Sequence, residues 1–216
     1  MRNALRLVAM DCDGVLIDTH QILELAQKVG IKQEVEALMK QWRQESGSPS
    51  LYHLKAVSML KGLGYTDAKE VAQNLPLMPG AEEAVRALKD HGLKIAIITN
   101  GYYITTGALK EKLRVDYVFA NELLFEEGVA TGKVIENIGD ADAKVRALKE
   151  IIQMEGIGLD QCAAVGDGIN DYLIVKQAGL GIAFNADRVL RQVADVIIEE
   201  RDLRAIVPEI VRRVKS

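Results

Sequence analysis

Two aspartates, Asp11 and Asp13, stand two residues apart directly after the largely apolar segment 5–10. That segment predicts a buried strand, and Gly14 allows the sharp change of chain direction that follows it. Two neighbouring carboxylates repel each other, so at least one pKa should rise unless a cation lies between them. Such a pair serves metal binding or proton transfer, and a polar turn with a helix-capping aspartate is the structural alternative.

A second polar group follows the β-branched segment 94–98. Thr99, Asn100 and Gly101 offer a hydroxyl, an amide and backbone N–H groups, all of which can surround phosphate oxygens. Thr99 could simply end the strand, but its place directly before the Asn-Gly pair favours phosphate binding.

Two further segments supply a lysine and two more aspartates. Lys144 lies at the start of a predicted helix, and this context favours it over Lys133 in a predicted hairpin as the cation of the site. Asp167 follows the apolar strand predicted over 162–165. Asp171 lies in the first turn of the next helix, where an interaction with the helix dipole is the alternative role.

Helical and strand patterns divide the chain into two parts. Between residues 20 and 75 the apolar spacing is helical throughout, which predicts a small helical bundle inserted after the first strand. Beyond residue 77 strands and helices alternate, which predicts an α/β doubly wound parallel sheet. Ligands of such sheets bind at the carboxyl ends of the strands, so the four polar segments should meet at one site. The predicted helices of the insertion cover 20–29, 32–45, 51–63 and 66–75, and the predicted strands cover 5–10, 94–98, 117–120, 123–125, 129–134, 162–165, 181–184 and 196–198.

The composition of the 216 residues is that of a globular protein, with 49% hydrophobic and 27% charged residues. A net charge of −4 argues against nucleic acid or an anionic membrane as partner. The sequence has no apolar run long enough to span a bilayer and no signal peptide, so we expect a cytoplasmic protein. The two cysteines, Cys12 and Cys162, predict small buried side chains, and strand alternation should point Cys12 away from the two aspartates.

In this order and spacing the motifs resemble those of the haloacid dehalogenase superfamily of phosphatases, and most closely its phosphoserine phosphatase branch. The resemblance covers essentially the whole chain. It is carried by DCDGVL (11–16), Thr99-Asn100, Lys144 and GDGIND (166–171), with NELLFEEGVATGKV (121–134) and EERDLR (199–204) in support. It implies a Rossmann-like core domain over residues 1–15 and 77–216 and a helical cap domain over residues 16–76.

The resemblance also implies a mechanism. Asp11 would attack phosphorus and form an aspartyl phosphate, while Asp13 would protonate the leaving oxygen and later deprotonate water. Mg²⁺ would be held by Asp11, the backbone carbonyl of Asp13 and Asp167, with Asp171 nearby and acting through water.

The remaining roles that the resemblance implies concern the phosphoryl group. Thr99, Asn100 and Lys144 would hold its oxygens, and Asn170 would contact the phosphate or orient its loop. A dehalogenase also uses an aspartate nucleophile, but it needs neither a second acid at Asp13 nor a metal ligand, so phosphatase chemistry fits the motifs better.

The substrate is less specified than the chemistry. Phosphoserine phosphatases place a glutamate after the first motif and an arginine in the cap, whereas this chain has His20, with Glu24 one turn on, and no arginine over 52–56; Arg43 is the nearest. Three functions stay open, of which we favour the first: a Mg²⁺-dependent phosphomonoesterase that acts on a small metabolite, a phosphotransferase that uses an alcohol acceptor, and a non-catalytic module that binds phosphorylated ligands. Oligomeric state is not readable from the sequence. Aromatic side chains expected near the pocket rim are Trp42, Tyr52, His53, Tyr102 and Tyr103.

Overall fold

Strands and helices alternate along most of the chain, of which the computed structural model describes residues 3–45, 49–140 and 142–214. The strands are β1 Leu7–Met10, β2 Lys94–Tyr102, β3 Tyr117–Glu126, β4 Val129–Ile135, β5 Cys162–Gly166, β6 Leu180–Phe184 and β7 Val196–Ile198. The α-helices are α1 Gln21–Lys28, α2 Lys32–Glu45, α3 Pro49–Met59, α4 Tyr65–Gln73, α5 Ala81–Asp90, α6 Tyr103–Leu113, α7 Ala143–Glu155, α8 Tyr172–Gln177, α9 Arg188–Arg191 and α10 Ile206–Val211. Short 3-10 helices cover Leu159–Gln161, Ile169–Asp171 and Leu203–Ala205.

The seven strands form one sheet in the order β4-β3-β2-β1-β5-β6-β7. All neighbouring pairs are parallel except β3 and β4, so the predicted α/β doubly wound sheet is confirmed and carries one antiparallel edge strand. β1 lies at its centre, and all four of its residues are buried. A central parallel strand is covered on both faces, which is why its sequence is continuously apolar.

Successive residues of β1 point to opposite faces and enter two separate apolar clusters. Val8 and Met10 face a cluster that includes residues of α5 and α10, whereas Leu7 and Ala9 face one that includes residues of α7 and α8. Helices therefore cover both faces of the sheet, and its carboxyl edge is left to polar residues.

Helices α1 to α4 lie between β1 and α5 in the chain, as the helical pattern predicts. The two connections that join them to the sheet run side by side: Asp18 N donates to Pro76 O at 2.9 Å, and Met78 N donates to Leu16 O at 2.9 Å. The helical insertion thus leaves and re-enters the rest of the fold at neighbouring points. The division into a core and a cap domain stays a prediction.

Strand β2 is longer than the segment 94–98 predicted for it. It continues to Tyr102, and its pairing with β3 shifts register between Ile98 and Tyr102. Thr99 and Asn100 therefore lie inside an irregular strand rather than after its end. Such irregularities re-aim side chains locally, and apolar periodicity does not reveal them.

β3 and β4 form the predicted hairpin, but β3 is one strand from Tyr117 to Glu126 where two short ones were expected. Its turn residues Glu127 and Gly128 have φ of 49° and 78°, the left-handed pair that a tight two-residue hairpin requires. Helix α3 ends at Met59, four residues before the predicted end. Among the described helices, none has the length and apolar character needed to cross a membrane.

A pair of glycine substitutions tests how closely α8 packs on the sheet. A Cβ at Gly181 in β6 would lie 2.4 Å from the carbonyl oxygen of Val175, so Gly181→Ala forces helix and strand apart. We expect it to lower the free energy of unfolding by about 1–3 kcal/mol. Gly107 lies exposed in α6 with open space around it, so Gly107→Ala should raise that free energy by up to about 1 kcal/mol.

Urea titration of both variants measures these changes through the transition midpoint at constant slope. Equal effects of the two substitutions, or a stabilising Gly181→Ala, would contradict the close packing of β6 and α8.

Candidate active site

Asp11 and Asp167 directly follow the adjacent parallel strands β1 and β5. The ladder between these strands extends to Asp11, whose N–H donates to Val165 O at 3.0 Å. Asp171, in the 3-10 helix that comes next, joins them, and one carboxylate oxygen from each of the three lies within 4.8 Å of the others. The polar segments after β1 and β5 therefore meet at one point, as their places at strand ends predict.

Lys144 supplies the positive charge at this point. Its side chain is buried, and its Nζ lies 2.9 Å from Asp11 Oδ2 and 2.7 Å from Asp171 Oδ1. Burial alone would lower the pKa of Lys144, but the carboxylates of Asp11 and Asp171 outweigh that effect and raise it, so the amine stays protonated. The rival residue Lys133 is exposed on β4.

Asp171 connects this lysine to the loop that carries Asp167. Its Oδ1 accepts from Lys144, and its Oδ2 accepts from the backbone N–H groups of Asp167 at 3.1 Å and Gly168 at 3.3 Å. Both oxygens of this nearly fully buried carboxylate therefore accept hydrogen bonds from within the protein. Asp171 fixes the loop and the lysine together.

Negative charge exceeds positive charge in this cluster, because three carboxylates surround one ammonium. Burial, followed by the nearby charges of Asp11 and Asp171, raises the pKa of Asp167 to about 8. Burial and the charge of Asp11 also raise the pKa of Asp171 above its ordinary range. Clustered carboxylate oxygens with surplus negative charge are what a hard divalent cation such as Mg²⁺ requires, so these residues fit the implied metal.

Asp13 faces a different set of partners from Asp11. Gln21 donates to both of its oxygens, from Nε2 to Oδ1 at 2.8 Å and from its backbone N–H to Oδ2 at 3.2 Å. His20 Nδ1 lies 3.6 Å from Asp13 Oδ2. The carboxylates of Asp11 and Asp13 thus have separate partners, and the cation expected beside the pair, Lys144, contacts Asp11.

The side chains of Thr99, Asn100 and Asn170, which are predicted to bind phosphate, have different surroundings in the structure. Thr99 is buried and its Oγ1 accepts from Gly101 N at 3.1 Å, whereas Asn170 is exposed on the 3-10 helix beside Asp171. Asn100 Nδ2 donates to Ile138 O at 2.6 Å, in the loop before α7. That contact gives Asn100 a structural partner, and the phosphate-binding roles of Thr99, Asn100 and Asn170 stay predictions.

Cys12 stands between the two aspartates in sequence but belongs to the apolar core. It is fully buried in the cluster that contains Val15 and Leu16, and burial raises the pKa of its thiol well above the ordinary value. A protonated thiol is a poor nucleophile. This environment agrees with the strand alternation that points Cys12 away from the carboxylates.

A groove of about 450 Å³ opens beside Asp167, between the insertion and the sheet. Its walls carry charges of both signs, and they include His20, Leu23, Lys32, Glu36, Asn185 and Arg201. Tyr102, expected at a pocket rim, is instead buried, and His53 stacks on it with ring centroids 5.8 Å apart. The side chains of Trp42 and Arg43 lie outside the described residues.

The contact between Gln21 and Asp13 is the one that the sequence did not reveal. It falls within a predicted helix whose residue types and spacing do not distinguish it from a solvent-facing glutamine. The one available signal is Gly101, since a glycine inside a strand indicates that another group approaches the backbone closely.

Replacing Asp167 by asparagine tests the charge balance of the metal-free site. The pKa of Asp167 is about 8 against an ordinary value of 3.8. Between these two pH values the carboxyl group is protonated in the folded protein and ionised in the unfolded chain. Its stabilising contribution is present below about pH 4 and is lost as the pH rises toward about 8. In EDTA near pH 8, we expect Asp167→Asn to melt several degrees above the wild-type protein, with the two converging near pH 4.

Added Mg²⁺ should reverse that order near pH 8, because it binds the native carboxylates and stabilises the wild-type protein more than the variant. Melting curves of both proteins with and without Mg²⁺ measure the effect. Equal Mg²⁺ shifts in the two proteins would rule out Asp167 as a ligand.

Comparison with known proteins agrees with this geometry. Residues 5–179 match the family model described as haloacid dehalogenase-like hydrolase. The phosphoserine phosphatase of Archaeoglobus fulgidus is 41% identical over 92% of this chain and 58% of its own length, so this chain spans just over half of that relative. The phosphoserine phosphatase of Methanocaldococcus jannaschii is 36% identical over 95% of this chain and 98% of its own length.

A solved phosphoserine phosphatase structure, described as an analogue of the phospho-aspartyl intermediate, superposes with a TM-score of 0.90. It is 36% identical and covers 96% of this chain and 100% of its own. The sequence match to the Methanocaldococcus jannaschii enzyme and this structural match each cover at least 95% of this chain. The chain therefore belongs to the haloacid dehalogenase-like hydrolases, as a phosphatase of the phosphoserine phosphatase branch.

Proposed function

We propose that this phosphatase hydrolyses small phosphomonoesters through an aspartyl phosphate formed on Asp11, with Mg²⁺ as its cation. The contact of Lys144 Nζ with Asp11 Oδ2 at 2.9 Å is the observation that carries the proposal. An ammonium held beside a carboxylate at the end of a central strand offsets the charge of an approaching phosphate dianion. Phosphoryl transfer depends chiefly on such positioning and charge compensation.

Asp11 is the nucleophile of the first step. Its Oδ1 accepts from the N–H of Cys12 at 2.7 Å and its Oδ2 faces Lys144, so the carboxylate is held in one orientation. A bond forms between an Asp11 oxygen and phosphorus as the ester P–O bond breaks. The leaving oxygen takes its proton from Asp13.

Water completes the turnover in the second step. Asp13, now a carboxylate, accepts a proton as the water oxygen bonds to phosphorus. The bond between phosphorus and Asp11 breaks, which releases inorganic phosphate and restores both aspartates to their starting states. The same residue therefore acts first as the acid and then as the base.

The remaining polar residues hold the cation and the phosphoryl group. Asp11, Asp167 and the backbone carbonyl of Asp13 would bind Mg²⁺, with Asp171 close by, and the bound cation supplies charge neutralisation for the phosphoryl oxygens. Lys144, Thr99, Asn100 and Asn170 are the proposed phosphate-binding residues, a set that the family motifs support.

O-phospho-L-serine is the substrate that the relatives indicate, and we propose it as the first ester to test. The groove beside Asp167 carries an ammonium on Lys32 and a carboxylate on Glu36, one helical turn apart on α2. Groups of both signs suit a leaving group that is itself zwitterionic. We also propose that residues 16–76 form the cap that closes over this leaving group and excludes water.

Phosphate release from p-nitrophenyl phosphate and from O-phospho-L-serine, with and without Mg²⁺, tests the function. Asp11→Asn removes the nucleophile, and we expect it to lower kcat by at least about 10³-fold on both esters. Asp90→Asn is the matched control, because Asp90 is exposed at the end of α5 and the chemical change is the same. It should leave kcat within about twofold of the wild-type value.

Other outcomes separate the alternatives. Activity that survives in Asp11→Asn would exclude this mechanism. Added glycerol that lowers the yield of inorganic phosphate per nitrophenolate released would identify a phosphotransferase. Binding of phosphate esters without turnover would identify a non-catalytic module.

A further inference from the structure

Gln21, the first residue of α1, is fully buried although its side chain is polar. Its side-chain and backbone N–H groups together hold both carboxylate oxygens of Asp13, at 2.8 and 3.2 Å. Two donors from one residue fix the rotation of that carboxylate. We propose that Gln21 is the positioning residue that orients Asp13 for proton transfer, an assignment that rests on the function proposed above.

The orientation of the Gln21 amide is itself determined by its surroundings. The N–H of Tyr102, at the end of β2, can only donate, and it lies 3.0 Å from Gln21 Oε1. The hydroxyl of Thr105 on α6 contacts the same oxygen. Because Oε1 faces these two groups, Nε2 must face Asp13. The amide therefore presents a donor, and not an acceptor, to the proposed acid.

The amide of Gln21 occupies space that is open because residue 101 has no side chain. A Cβ at residue 101 would lie 1.9 Å from Gln21 Nε2, so the buried glutamine is compatible with glycine there and with no larger residue. Gly101 directly follows Thr99 and Asn100, two of the proposed phosphate-binding residues. Gln21 thus connects the start of α1, the end of β2 and the loop after β1 within a few ångströms of the reacting atoms.

Such a contact matters because Asp13 has to transfer a proton in both steps. Gln21 takes one lone-pair direction of each Asp13 oxygen and leaves the others for the transferred proton. A carboxylate free to rotate would spend much of its time out of reach of the leaving oxygen, and misplacement by about 1 Å can cost about 10²-fold in rate. The cost should appear only where proton transfer limits the reaction.

Phenyl phosphate and p-nitrophenyl phosphate provide the test, since they share a ring but differ in how much the leaving oxygen needs a proton. Gln21→Met keeps the length of the side chain and removes its hydrogen bonds. We expect it to lower kcat/KM for phenyl phosphate by about tenfold or more, and for p-nitrophenyl phosphate by less than about threefold. KM for phenyl phosphate should change little, whereas KM for p-nitrophenyl phosphate should fall together with kcat as the hydrolytic step becomes limiting.

A second signature comes from the hydrolytic step, which needs Asp13 as a base with either ester. In Gln21→Met, p-nitrophenyl phosphate should give a burst of about one equivalent of nitrophenolate followed by a slower steady rate, because the aspartyl phosphate accumulates. Gln21→Glu should show the same split between the esters, since it keeps an acceptor for Tyr102 N–H and puts a carboxylate that repels Asp13 in place of the donor. If Gln21→Met fails to fold, the Gln21→Glu variant is measured in its place.

Thr106→Val is the matched control, because the Thr106 hydroxyl is buried on α6 and donates to Tyr102 O at 3.0 Å without a hydrogen bond to Gln21. Its effect should be equal on the two esters. Equal losses in the Gln21 variants, or no loss on either ester, would overturn the positioning role. A wild-type protein that hydrolyses neither ester would instead contradict the proposed function and this assignment with it.

Discussion

One buried ammonium, that of Lys144, makes the carboxylate cluster of this protein possible. Taking a carboxylate out of water costs several kcal/mol even in real proteins, and Asp11, Asp167 and Asp171 are drawn together at one point. Lys144 contacts two of the three directly, and the third retains a strongly raised pKa. The cluster is stable enough to fold around one cation and remains short of positive charge, which is the condition under which a second cation binds.

Hydrogen bonds from two strands fix the loop that precedes the helix of this lysine. The loop before α7 is fixed at Ile138, whose carbonyl accepts from Asn100 Nδ2 at 2.6 Å and whose N–H donates to Asn121 Oδ1 at 2.8 Å. Polar side chains of β2 and β3 thereby set the point at which α7 begins, and Lys144 lies in its first turn. Through its contact with Ile138, Asn100 therefore contributes to the position of the cation.

The parallel sheet and the convergence of Asp11, Asp167 and Lys144 were predictable because they follow from local patterns. Apolar runs identify central strands, and parallel strands bring their carboxyl ends to the same edge. The contacts of Gln21 with Asp13 and of Asn100 with Ile138 were not, because each joins residues whose pairing depends on the packing of whole helices and strands. The irregular end of β2 was missed for a related reason, since Thr99 and Asn100 interrupt the apolar pattern without ending the strand.

The chain enters and leaves the helical insertion through two adjacent segments. Asp18 pairs with Pro76 and Met78 pairs with Leu16, so the insertion is a loop whose ends lie side by side. A loop whose ends meet costs the host fold little extra entropy as it lengthens, since each doubling adds only about 0.6 kcal/mol. The central sheet can therefore tolerate insertions of very different size and shape at this point. In evolutionary terms, the helices of the insertion beyond α1 can change faster than α1 itself, because Gln21 of α1 contacts Asp13 in the site.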